Sequence, residues 1–475
     1  VWDINYDNSL KLVATGAEDK VRQAFKPGAK EVARNPDLAS GEGYASDYNN
    51  LGLIWLNMSE LGETTAAVNY LEKSLYIGSG VVEQSQSDVE ELLFKSITVT
   101  PFSEHQLSWG GELKQQSIRQ HNKSRLQACN SEFETCLPSS FSPIVEDLTE
   151  VDVNFASVFT DIKVQHSNSW QTTLGAVVSY NDFTSESFIE PRLFARYSLS
   201  EGSHIGLSAG QYHQWFRNLN YLSPVFGNPD LELSTANIFG ASFEQKLANA
   251  WNWKIDVYYK QLDNLIMANP AAQNQEFSND ADTQTAKFIN NAEGTAWGAE
   301  LMINKALQDN WYGWFTLAYA NTQRKNSTTG RSFEYEFDIP WIANLVAKYQ
   351  FNEHWHLGVK WSYQSGRRYT QVLSADPVYP TENGQPDESQ APLFYQPVYG
   401  EFNGQRRDAG HRMDIRLDYH TKIANHEVNF YLDILNLFGH QRIQEDEWNA
   451  DYSEATPDYE FPDEMFPGLG VSIRF

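Results

Sequence analysis

Gly468-Leu469-Gly470-Val471-Ser472-Ile473-Arg474-Phe475, the last eight residues, alternate between apolar side chains and small or polar ones and stop on an aromatic. Side chains on a strand repeat with a period of two. Leu469, Val471, Ile473 and Phe475 therefore share one face, and Gly470, Ser472 and Arg474 share the other. Arg474 then meets water while its neighbours meet an apolar medium. In a transmembrane β-barrel those surroundings are lumen and lipid. Any half-buried sheet shows one such strand, so the reading depends on repetition.

The pattern repeats toward the N-terminus. Val428, Phe430, Leu432 and Ile434 share a face, as do Trp355, Leu357, Val359, Trp361 and Tyr363. Trp311, Gly313, Phe315, Leu317 and Tyr319 form another, and Trp253, Ile255, Val257 and Tyr259 a further one. Met413, Ile415, Leu417 and Tyr419 alternate with Arg412, Asp414, Arg416 and Asp418, which predicts a ladder of charges on an inner wall. Leu417 is expected to face lipid and Asp418 water, so that Asp418 tolerates substitution far better.

The connections sort by length. Short turns fall near Asn425, Asn352, Asp309, Asn249, Gly202, Asn168, Ser103 and Gly62, and what lies between them is mostly long. The long segments are 438–467, 366–409, 323–339, 264–293, 215–231, 117–147 and 16–48. Bacterial barrels have short periplasmic turns and long outer loops. The expected fold is an all-β, transmembrane antiparallel β-barrel over residues 1–475, with about 18 strands, an even number as single-chain bacterial barrels have.

Composition agrees. No run approaches the ~18 apolar residues of a membrane helix, but a barrel devotes only alternate residues to lipid and escapes that test. Aromatic residues make up 14% of the chain, enough for interfacial girdles. The formal charge of −27 excludes a nucleic-acid partner, which requires a basic footprint. Cys129 and Cys136, the two cysteines, are expected to close a small disulfide loop in an oxidising compartment. Val1-Trp2-Asp3-Ile4-Asn5-Tyr6 already reads as strand rather than leader, so a removed upstream segment is expected.

The order of motifs over the last 300 or so residues resembles the barrel of the TonB-dependent outer-membrane transporters. IEPRLFARYSLSEGSHIGLSAGQYHQ (189–214), FGNPDLELSTANIFGASFEQKL and NAEGTAWGAEL (291–301) come first. WSYQSGRRYT, FNGQRRDAGHRMDIRLDYH, FYLDILNLFGH and FPGLGVSIRF follow in the family's order. The resemblance implies active uptake of a siderophore, vitamin, saccharide or peptide across the bacterial outer membrane, without a cofactor. It implies as partners the TonB–ExbB–ExbD system, the barrel-assembly machinery reading a C-terminal signal at Phe475, membrane lipid and lipopolysaccharide. Such transporters hold a plug inside a 22-stranded barrel. The expectation is that the plug and about four strands lie outside this chain. The alternative is a complete 18-stranded porin for passive diffusion, with Arg412, Asp414, Arg416 and Asp418 setting selectivity.

No enzyme signature or metal-ligand spacing is present. The candidate ligand-binding residues are aromatic and basic groups in the outer loops. His213, Trp215, Tyr221 and Phe226 lie in one, and Tyr379, Tyr395 and Tyr399 in another, with Arg367 and Arg368 at the adjoining strand end. Aromatic rings offer rigid stacking area and arginines offer bidentate contacts. Packing of long loops against one another would place aromatics there equally well. The acidic run from Asp446 to Glu464 could collect a cation or simply be a solvated loop, and His354 with His356 reads as polar rim.

Overall fold

The computed structural model describes all residues except 1, 27, 30–31, 33–35, 81, 126–128, 131, 136–143, 217, 273–284, 383–384, 460–463 and 475. Phe475 and Cys136 thus lie outside the described residues. The wall starts at β1 (Trp2–Asn5), β2 (Asn8–Gln23), β3 (Glu42–Ser59), β4 (Gly62–Ser79) and β5 (Glu83–Phe102). It continues through β6 (His105–Arg125), β7 (Ile144–Ser167), β8 (Trp170–Asn181), β9 (Glu186–Ser200) and β10 (Ser203–Gln214). Next come β11 (Ser234–Lys246), β12 (Trp251–Ala268), β13 (Phe288–Gln308) and β14 (Trp311–Asn326). The strands Trp341–Gln350, Trp355–Gln364, Gly410–Ile423, His426–Leu435 and Phe466–Arg474 complete it. Each pairs antiparallel with the one before.

The sheet has 20 strands among the described residues, of which Ser332–Glu334 pairs only with β14 and belongs to an outer loop. Setting aside that piece and the four-residue β1 leaves the 18 full strands that the alternation predicts. The stub is the departure. Asn5 Oδ1 accepts from the Asp7 amide at 3.0 Å and from Asn8 Nδ2 at 2.9 Å, which turns the chain where the alternation runs on uninterrupted.

One edge of the sheet carries turns of two to four residues. Asp309 (φ 55°) with Asn310 (φ 66°), and Ala424 (φ 49°) with Asn425 (φ 65°), supply the paired left-handed residues of type I′ hairpins. The other edge carries connections as long as 365–409. Several are shorter than the sequence suggests: β2 runs to Gln23, β6 to Arg125 and β12 to Ala268. Above the bilayer both faces are wet, so apolar alternation ends while the hydrogen-bonded ladder continues.

The outward face is continuous from strand to strand. Trp253, Ile303, Phe315, Leu345, Trp361 and Met413 are successive cross-strand partners. Two aromatic belts bound this band. Trp251 meets Trp311 at 5.4 Å and Trp355 meets Tyr419 at 4.8 Å near the short turns. Tyr319 lies 5.4 Å from Trp297 and 4.8 Å from Trp341 near the long loops. Trp311 and Tyr319 are about 27 Å apart along β14, or about 20 Å in height once strand tilt is allowed for, close to a bilayer's apolar band.

The inward face carries the charges. Arg416 Nε reaches Asp418 at 3.0 Å and its Nη1 reaches Asp433 at 3.2 Å, while Lys348 approaches Asp418 at 3.4 Å. Arg412 pairs with Asp414 at 2.7 Å. Arg412, Asp414, Arg416 and Asp418 are all ion-paired, and their charges balance. Asp418 is only 2% exposed and also accepts from Asn429 at 2.9 Å, so it is a buried network node and not the tolerant, wet position expected. Tyr431 lies flat across Gly470 on this face, where a Cβ at Gly470 would sit 2.1 Å from the ring.

Candidate functional site

Two outer loops leave their own strands and cross the mouth. The first, 215–233 without position 217, starts after β10 and ends at β11, yet its short 3-10 turn Leu219–Leu222 docks on the inner face of β5–β7. Phe216, Leu222, Leu231 and Leu233 are buried there against Val89 of β5 and Ile118 of β6. Leu222 and Leu231 are 2% and 1% exposed, and burying such a side chain stabilises by about 2–3 kcal/mol. Polar groups fix the register. Asn220 Oδ1 accepts from Gln120 Nε2 at 3.1 Å and Asn122 Nδ2 at 3.0 Å, and Ser223 Oγ donates to Asp147 at 2.7 Å.

The other end of this strap is tied to β12 and β13. Asn290 Oδ1 accepts from the Glu232 amide at 2.8 Å, and its Nδ2 donates to the Asn264 carbonyl at 2.9 Å. Gly227 permits the fold, since a Cβ there would fall 2.3 Å from the Asn220 carbonyl oxygen.

The second crossing segment, 129–135 without position 131, leaves β6 and packs on the far side. Phe133 is buried against Met267 and Ala292 and meets Phe333 edge-on at 5.9 Å, and Phe333 in turn meets Phe402 at 5.1 Å. Asn130 Nδ2 donates to the Ile266 carbonyl at 2.8 Å.

Strap, segment and the outer ends of β10–β12 and β14 line a half-open cavity of about 660 Å³. Trp215, Tyr221, Tyr212 and Tyr335 supply its rings, and Asn130, Glu132 and Arg324 its polar floor. Arg324 lies over the Tyr335 ring at 4.1 Å with its Nε 3.6 Å from Glu132, to which Tyr335 Oη donates at 3.2 Å. Burial, together with the Glu132 carboxylate, pushes the Tyr221 and Tyr335 phenols up to about 12.

The structure gathers His213, Trp215 and Tyr221 at this cavity and leaves the other candidates elsewhere. His213 is engaged, its Nδ1 3.1 Å from Glu190 and its ring 3.9 Å from that of Phe188. Trp215 packs edge-on to Phe155 at 4.9 Å and Phe183 at 5.8 Å. Phe226 lies within the strap, its amide donating to Ser223 Oγ at 2.9 Å. Tyr379, Tyr395 and Tyr399 belong to an outer hairpin in which Val372–Val378 pairs with Phe394–Tyr399, and burial raises the Tyr399 phenol.

The arginines are committed. Arg368 lies 3.6 Å from Asp338 and 3.9 Å from Glu334, Arg406 holds Asp338 at 2.5 Å, and Arg407 holds Asp446 at 3.0 Å. Arg367 stacks over Phe337 at 4.9 Å. Asp338, 2% exposed, thus ties loop to loop. Sequence reading misses Asn130, Glu132, Tyr212, Arg324 and Tyr335, which sit on four separate stretches with no shared motif.

Among the described residues no group of three or more His, Cys, Asp or Glu is arranged to hold a metal ion, and Glu460 and Asp463 of the acidic run lie outside them. His356 pairs with His420 at 4.5 Å, whereas His354 turns to the Tyr419 ring. Cys129 is not a free thiol, and its pairing with Cys136 stays a proposal because Cys136 is not described.

An antiparallel wall with a lipid-facing apolar band, a charged lumen and loops sorted by edge defines an outer-membrane β-barrel. The chain belongs to the TonB-dependent receptor family, since the model of that family's barrel, "TonB dependent receptor-like, beta-barrel", matches residues 31–437. It is an integral protein of the bacterial outer membrane, and its family comprises transporters, not enzymes, that take up solutes and interact with TonB. No curated protein sequence matches the chain.

Among solved structures the chain is similar to the outer membrane transporter YddB of Escherichia coli at 11% identity and TM-score 0.70, over 99% of this chain and 67% of that one. It is also similar to the FrpB iron transporter of Neisseria meningitidis (12% identity, TM-score 0.66, 98% of this chain and 69% of that one). The siderophore receptor PirA of Acinetobacter baumannii gives 13% identity and TM-score 0.68, over 96% and 68% of the two chains.

Proposed function

We propose that the protein imports a scarce small solute (a siderophore, vitamin, saccharide or peptide) by TonB-dependent active transport, and that the cavity at the crossed loops captures it before passage. The observation that carries this reading is the pair of loops folded inward at the outer mouth, which share one ring-lined cavity with the strand ends. A receptor that binds first needs preformed walls. The charge-matched lumen ladder also supplies little net field for sorting ions, which tells against Arg412, Asp414, Arg416 and Asp418 as a porin's selectivity filter.

The proposal includes energy transfer through TonB, ExbB and ExbD, a plug domain with about four further strands, and assembly guided by Phe475. Similar chains of which this one spans about two thirds support the larger barrel. Planar-bilayer recording is the test. Small or absent conductance in the plugged protein, together with cellular uptake that stops when TonB is deleted, is the expected result. A large, permanently open conductance would favour the porin.

A further inference from the structure

We infer that the lumen wall, near its short-turn end, carries a site for a divalent transition-metal ion held by His356 and His420; the inference is independent of the solute the barrel carries. His356 lies on Trp355–Gln364 opposite Asp418. His420, two residues beyond Asp418 on Gly410–Ile423, lies opposite Asn429 of His426–Leu435. With side chains repeating every second residue, all four share the inward face of three adjacent strands. The two imidazole rings are in contact, their centres 4.5 Å apart.

Three polar atoms on this patch go unserved. His356 Nδ1, His420 Nε2 and Asn429 Oδ1 are each buried with no hydrogen-bond partner among the described residues. Buried polar atoms normally have one, so three on cross-strand neighbours point to a bound species. The Asn429 amide is not free to flip, because its Nδ2 donates to Asp418 at 2.9 Å.

A neutral imidazole carries one N–H and one lone pair. With the N–H of each ring on its other nitrogen, all three atoms offer lone pairs, and a single water, with two hydrogens to give, cannot serve all of them. A cation can. Two imidazoles bound to one ion at about 90–110° have ring centres about 4.5–5 Å apart, since each metal–nitrogen bond is about 2 Å, and the observed spacing agrees. Imidazole nitrogen selects copper, nickel or zinc over the oxygen-seeking calcium and magnesium.

The charged neighbours admit such an ion. Lys348 and Arg416 are ion-paired with Asp418 and Asp433, so neither stands beside the rings as an unmatched cation. His354 is not a ligand, since its Nδ1 is engaged with the His420 carbonyl at 2.8 Å. Two imidazoles, one amide oxygen and water make up the shell, which therefore does not call for the group of three or more His, Cys, Asp or Glu that the described residues lack.

Detergent-purified protein carrying no histidine tag, stripped with a chelator and titrated with Cu²⁺, the strongest binder of the series, tests this. About one equivalent should be retained, with an electron paramagnetic resonance spectrum showing coupling to two imidazole nitrogens, and excess Zn²⁺ should displace it. His356→Gln and His420→Gln should each weaken binding at least about tenfold. His411→Gln, in the other close histidine pair, His411 and His440 with ring centres 4.3 Å apart, should leave it unchanged. In the unaltered protein Cu²⁺ should shield His356 and His420 from diethylpyrocarbonate, read by mass spectrometry, so the outcome does not depend on how the variants fold. No retained copper, retention indifferent to H356Q and H420Q, or shielding of other histidines in their place would overturn the assignment.

Discussion

Asp418 shows how much a single position depends on neighbours that its own stretch of sequence does not name. Alternation places it correctly on the lumen side, but Lys348, two wall strands away, and Asn429, one strand away, turn a wet wall position into a buried node. Asp418→Ala should therefore cost about 3 kcal/mol, comparable with the 2–4 kcal/mol expected for lipid-facing Leu417→Arg. Urea unfolding in lipid vesicles measures both. A second test uses the phenols outside the membrane. Tyr221 is shifted from 10.0 to about 12, so between those values the unfolded strap loses its proton first and the docked strap loses stability as pH rises. Tryptophan fluorescence should report undocking above about pH 10, and Tyr221→Phe should remove much of that dependence.

At the scale of elements, strands and turns are legible and crossing loops are not. A strand announces itself through a period of two that one face in lipid enforces over many residues, and its two-residue turns through Asn, Asp and Gly. The strap has no period. It is fixed by Asn220 meeting Gln120 and Asn122 about a hundred positions away, and by Leu222 and Leu231 finding a wall they do not belong to. The aromatic content of 215–231 marks something packed or binding without saying which. His213, Trp215 and Tyr221 reach the cavity, while the tyrosines of the outer hairpin, equally aromatic, do not. Leu222→Ala should cost the docked strap about 2–4 kcal/mol while leaving the wall intact. Hydrogen exchange over 215–233 should rise steeply in that variant, with exchange in β12 and β13 unchanged; equal acceleration everywhere would mean that the strap holds up the barrel itself.

For the whole molecule, a wall built from neighbours in chain order should resist detergent until heated. The expected outcome is mostly β circular dichroism and a gel mobility that shifts on boiling; a helix-rich spectrum would contradict the architecture. The asymmetry of the two edges has a practical consequence. A two-residue turn such as Asp309–Asn310, both at positive φ, has no slack, so a peptide inserted there has to pull apart the ladder on either side. Among the described residues the hairpin of Val372–Val378 and Phe394–Tyr399 forms a two-stranded sheet apart from the wall, and it bears exposed Glu388 and Ser389 near its end. An epitope spliced after Glu388 should be stained by antibody on intact living cells, and the same epitope spliced after Asp309 should abolish assembly, so that one chain offers both a cell-surface display site and its own control.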